Sequence, residues 1–217
     1  MKCNVSVEAS LPGDYNNDIG NALLRERERM QSASELLNLY VYEGMAYSND
    51  LSILAGKSTI NYALIASDAS AMLKLLDGVQ VQSSIVRSSD INLQANMRSF
   101  IVSLKTYPYH NGEQYINMLE KMISYLKTIH SEYESIIPEI YAIDGLVVKL
   151  NSAVQQTTPD NASIISLIQK ITGEIQKVTL AVPKIKNAFN ALYKIFLQFI
   201  DEVSASDVII PYTLKNL

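Results

Sequence analysis

Tryptophan is absent from this 217-residue chain, cysteine occurs once and histidine twice, and proline and glycine supply only 6 and 8 residues. Each scarcity excludes something. A single thiol, Cys3, cannot form an intramolecular disulfide, which fits a reducing compartment. So few glycines and prolines argue against collagen-like, low-complexity and turn-rich all-β chains. Charged residues make up 18%, against about 25% in an ordinary domain. Apolar residues make up 48%, enough for a sizeable core and too many for a disordered chain.

Other absences bear on location and partners. No uncharged apolar run approaches the ~18 residues of a membrane-spanning helix. The start, MKCNVSVEASLPGDYNND, has no continuous apolar stretch, so no Sec-type signal is expected. That leaves cytoplasmic residence or export by a signal-less route. Net charge is −4 without a basic cluster, so neither nucleic-acid binding nor a polybasic membrane anchor has an electrostatic footprint. There is no repeat of solenoid length, no low-complexity tract and no linker, so 1–217 is expected to be a single domain.

What is present is helical periodicity, strongest over 112–204. Ile164, Ile168, Ile171, Ile175, Val178, Val182, Ile185, Phe189, Leu192, Phe196, Phe199 and Val203 step by four and three without a break. So do Tyr115, Leu119, Met122, Leu126, Ile129, Tyr133, Ile136, Ile140, Ile143, Val147, Leu150 and Val154. Each series is an apolar seam sustained over more than five heptads. Between them lies Thr157-Thr158-Pro159-Asp160-Asn161, with Thr158 suited to an N-cap and Pro159 to the first helical position. Two long stripes joined by a short polar loop predict an antiparallel hairpin with arms roughly 60 Å long at 1.5 Å per residue. Pro138 and Pro183 interrupt the arms at nearly matching distances from the loop, so the hairpin is expected to kink there as a unit.

Shorter helices are predicted over 17–107. Positions 19, 23, 26, 30, 33, 37, 40, 44, 47, 51 and 54 form one stripe, broken by Glu26 and Gly44, with Gly56 as the C′ residue. Ser58 is read as the cap of a helix closing at Gly78, with Tyr62, Ile65, Ala69, Met72 and Leu76 inward. Ser89 or Asp90 is read as the cap of another, with Leu93, Met97, Phe100, Leu104 and Tyr107 inward, ending at Pro108. Extended segments are expected at the N-terminus (1–16, with Cys3, Val5, Val7, Ala9 and Leu11 alternating), at Val79–Gln82, and in the tail 205–217, where Pro211 confines any strand to an edge. The fold class expected is therefore mainly α: an elongated bundle on a long kinked antiparallel hairpin, with a few short strands at the termini.

Catalytic templates fail one after another. Gly56-Lys57-Ser58 ends like a phosphate loop, but the glycine required five residues earlier is Leu51, within a helical pattern. The run Phe196–Glu202 mimics a strand ending in magnesium-binding acids, yet Phe196 and Phe199 belong to the seam. His130 and Glu134 share a helical face and His110 lies near Glu113, but neither pair makes a metal site. Cys3 has no histidine nearby in sequence and reads as a small hydrophobe. No nucleophile elbow, zinc-protease or dinucleotide motif occurs. No catalytic, cofactor or metal residue is assigned, and no enzyme is expected.

The remaining signals concern surfaces. Arg25–Arg29 alternates charge and reads as a self-paired, solvated helix face. Thirteen tyrosines outnumber four phenylalanines; Tyr40, Tyr42 and Tyr47 cluster, and Tyr40 and Tyr42 point too far apart to share one core. Ile195, Leu197 and Ile200 form apolar surface off the seam of the last arm, which asks for a second neighbour. With Val208, Ile209 and Tyr212 of the tail, these are the candidate contact residues. The function expected is non-catalytic interaction or self-assembly, as a scaffold, adaptor, or filament or coat subunit. Its partners would be other protein subunits, either further copies of the chain or a helical partner. The alternative is a membrane-active helical protein such as a pore-forming toxin component or secreted translocator.

Overall fold

The computed structural model of the protein describes residues 13–106 and 111–204. They form four helices of 43, 45, 43 and 44 residues: α1 (Gly13–Ala55), α2 (Tyr62–Thr106), α3 (Gly112–Val154) and α4 (Asn161–Ser204). At 1.5 Å per residue each is about 65 Å long. The connections 56–61 and 155–160 are too short for anything but antiparallel return, so α1–α2 and α3–α4 are hairpins. α1 packs on α2 and α4, and α3 on α2 and α4, which closes an up-down-up-down four-helix bundle. No strand occurs among the described residues. Of the extended segments expected at the termini, residues 13–16 are corrected to helix, the first turn of α1, while 1–12 and 205–217 lie outside the described residues.

The apolar seams explain the packing. All twelve seam residues of α3 are buried, as are ten of those in α4; Phe189 is half-buried. Phe199 meets both Phe100 and Tyr115 edge-on, at 5.8 and 6.1 Å between ring centroids. Neither proline ends its helix. Pro138 and Pro183 are exposed, so the carbonyls they leave unpaired point toward water. The register between α3 and α4 stays constant along the arms, through Gln114–Glu202, Glu132–Lys184 and Glu139–Lys177. It sets the prolines about five residues apart, roughly 7–8 Å along the axis, not at a common height.

The first half departs from the sequence reading. α2 is one helix: Gly78, Val79–Gln82, Ser89 and Asp90 all lie inside it, so the expected stop, strand and cap are corrected to continuous helix. One stripe (65, 69, 72, 76, 79, 83, 86, 90, 93, 97, 100, 104) runs through, and only the polar Ser83 and Asp90 concealed it. In α1 the inward stripe takes 23, 27, 30, 34, 37, 41, 44, 48 and 51, so that Arg27, Ser34, Val41 and Ser48 stand inside in place of Glu26, Tyr40 and Tyr47. The caps also differ. Asn61 Oδ1 accepts from the Leu64 N–H at 3.1 Å and Asp160 Oδ1 from the Ala162 N–H at 3.1 Å, doing the work expected of Ser58 and Thr158. Asn111 precedes α3 in the left-handed region, at φ 61°, which asparagine tolerates. Gly56 follows α1 as expected, but no described glycine has positive φ.

Candidate functional site

The polar groups carried inward by α1 and α2 make the most specific contacts in the molecule. Buried Ser34 shares a 2.8 Å hydrogen bond with Tyr133 Oη of α3. Burial holds that phenol protonated well above its usual range, against a smaller opposing effect of Ser34. Buried Ser48 meets Thr172 Oγ1 of α4 at 2.8 Å, with Ser52 on the same oxygen at 3.4 Å. Arg27, 7% exposed, lies 4.5 Å from the ring centre of Tyr193 on α4. Its Nη1 donates to Gln31, which in turn donates to Glu35, each at 2.8 Å. Asp90, 1% exposed, sits 2.9 Å from His130 Nδ1 of α3 and accepts from Gln94 Nε2 at 2.8 Å. Burial raises the Asp90 carboxyl above its ordinary value, and Gln94 and His130 offset only part of this. His130 therefore pairs with a carboxylate of another helix and not with Glu134, which faces Arg87 at 3.5 Å. Sequence alone could not find Asp90 here, because an acid beside Ser89 reads as a helix cap.

Two outer grooves flank this polar layer. One runs between α1 and α4 and is lined by Glu35, Asn38, Tyr42, Lys186, Phe189 and Tyr193. The other runs between α2 and α3, with Ser83, Arg87, Ile137 and Tyr141 along it. Tyr42 and Tyr141 are 59% and 61% exposed.

The expected contact residues separate accordingly. Tyr42 stands free in its groove. Tyr40 is half-buried against α2, where a Cβ on Gly78 would come within 2.8 Å of its ring. Tyr47, Ile195 and Ile200 are half-buried and pack on the core, and Leu197 is exposed at the surface of α4. Val208, Ile209 and Tyr212 lie outside the described residues. The described ones among these residues are thus not gathered into one patch.

The remaining chemical candidates take packing or surface places. Leu51 is fully buried inside α1, which leaves Gly56-Lys57-Ser58 as the turn after a helix, and Phe196 and Phe199 fill the core. Among the described residues no group of three histidine, cysteine, aspartate or glutamate side chains could hold a metal ion. No described helix is long and apolar enough to cross a membrane. No protein-family model matches the chain, and comparisons with curated proteins and with solved structures give no match.

Proposed function

We propose that the protein is a non-catalytic interaction or self-assembly protein that works through the outer faces of its long helices. The observation that carries this reading is the apolar material left outside the packed core. Leu39, Tyr42, Tyr193 and Leu197 are exposed on α1 and α4, Val102 and Tyr141 on α2 and α3, and Leu180 is 74% exposed. Tyrosine in a groove with a charged rim is the kind of side chain that anchors protein contacts. The partner favoured is a protein with helical surface, in the first place another copy of the chain. The alternating segment Cys3–Leu11 and the β-rich tail Val208–Leu214 would add strand pairing between subunits. Light scattering across a concentration series tests the reading. Assemblies of two or more chains are expected, weakened by Tyr42→Ser combined with Tyr141→Ser. A strict monomer with no partner overturns it.

The membrane-active alternative rests on the same exposed apolar residues together with a polar, separable layer inside the bundle. Liposome leakage distinguishes the two: dye release by sub-micromolar protein would put the membrane reading first.

A further inference from the structure

The two hairpins are equivalent, position by position. Ser34 and Tyr133 lie 99 residues apart, as do Tyr62 and Asn161. The same interval separates the starts of α1 and α3, their ends, the starts of α2 and α4, and the capping residues Asn61 and Asp160. It also maps seam onto seam: from Leu23 to Leu51, and from Ile65 to Phe100, every inward position has its counterpart in α3 or α4. Five buried pairs are identical: Leu51 and Leu150, Ile65 and Ile164, Val79 and Val178, Leu93 and Leu192, Phe100 and Phe199.

Equivalent residues also touch. Ser34 bonds Tyr133, Tyr62 Oη donates to Asn161 Oδ1 at 2.6 Å, and Phe100 packs on Phe199. Contacts between equivalent positions require a pseudo-two-fold axis down the middle of the bundle. The outer grooves obey the same axis, with Glu35, Tyr42 and Lys186 in one corresponding to Glu134, Tyr141 and Arg87 in the other. The chain is thus a pair of like hairpins, each presenting an apolar face it cannot cover alone, joined by the five residues 107–111.

Polar pairing decides which hairpin fits which. Ser34, Ser48, Arg27 and Asp90 belong to α1–α2, and each reaches across to α3–α4: to Tyr133, Thr172, Tyr193 and His130. By the same axis, two α1–α2 hairpins would set Asp90 against Gln31 and Arg27 against Gln94, leaving buried charges without their partners. Unlike pairing is therefore favoured, and nothing in those four contacts requires both hairpins to come from one chain. We propose that two copies of this protein assemble by exchanging hairpins, α1–α2 of one copy seated on α3–α4 of the other through the same residue pairs. This rests on the self-assembly reading above and names its partner and surface.

The test uses full-length chains carrying Cys3→Ser. One has Ser48→Cys and the other Thr172→Cys; they are refolded together over a range of concentrations and treated with a short bismaleimide. A linked heterodimer is expected, its ratio to monomer rising roughly in proportion to protein concentration. Either variant alone should give none. A chain with both substitutions, refolded dilute, should link internally, which verifies the geometry; Ser52→Cys replaces Ser48→Cys should the latter fail to fold. Internal linking without any heterodimer overturns the exchange, and so does a homodimer from Ser48→Cys alone. Assemblies seen by light scattering without the 48–172 link overturn the exchange while leaving self-assembly through outer faces in place. A strict monomer removes both.

Discussion

Along the inner seam of α3–α4 every position from Met122 to Phe199 is apolar except Tyr133, whereas the matching seam of α1–α2 carries Arg27, Ser34, Gly44, Ser48, Ser83 and Asp90. The frame is the same but the filling differs. The second hairpin supplies most of the apolar burial that holds the bundle together. The first gives up part of that burial for groups whose partners are in fixed places, which sets register and orientation between the halves. Gly44 marks a further loss. Its counterpart is Ile143, and beside it lies an apolar cavity of about 40 Å³ lined by Tyr40, Val41, Met72 and Ile143 among others.

The contrast should be widest at positions 27 and 126, which are equivalent. Leu126 is fully buried, so Leu126→Ala should cost about 2–5 kcal/mol in urea unfolding. Arg27→Leu, which gives α1 the residue that α3 has, should leave stability unchanged or raised, because it replaces a buried charge with an apolar side chain. A large loss from Arg27→Leu would mean that the first hairpin depends on this charge and not on its apolar seam.

Acidity tests Asp90. Its carboxyl is raised in the folded state, so between the ordinary value of 3.8 and the raised one the folded chain holds more protons than the unfolded chain. This group's contribution is fully present below pH 3.8 and is lost as pH rises through the folded value. Asp90→Asn should therefore gain stability relative to the native chain on going from about pH 3.5 to neutrality. A relative loss over that range would mean that attraction to His130 outweighs burial.

The smallest effect is expected at two glycines. A Cβ on Gly44 meets nothing within 4 Å, so Gly44→Ala should stabilise by about 0.5–1 kcal/mol through helix propensity. At Gly78 the Cβ would press on the Tyr40 ring at 2.8 Å, so Gly78→Ala should forfeit that gain. Equal melting shifts for the two variants would contradict the close approach of α1 and α2 at this point.

The same contrast explains what could be read from sequence. Where apolar residues hold every inward position, as in α3 and α4, periodicity alone located the helices, their seams and their antiparallel return. Where the bundle turns polar inside, the pattern misled. Ser83 and Asp90 hid the middle of α2, so one helix read as a helix, a strand and another helix. In α1, Arg27 and Ser48 take inward places that an apolar stripe cannot mark, so the stripe was read through the half-buried Glu26 and Tyr47 beside them. Four of the inward polar residues, Arg27, Ser34, Ser48 and Asp90, make the buried polar contacts between the hairpins. The outer groove was legible only at Tyr42, and its counterpart at Tyr141 emerges once the two halves are superposed.

The central claim is that polar side chains of the first hairpin are fixed by specific partners in the second. A double-mutant cycle on Ser34→Ala and Tyr133→Phe measures this most directly, since the two residues join α1 to α3 through one 2.8 Å bond. The account predicts a coupling of about 0.5–1.5 kcal/mol, the ordinary net worth of such a bond. Losses that add to within about 0.3 kcal/mol would contradict it.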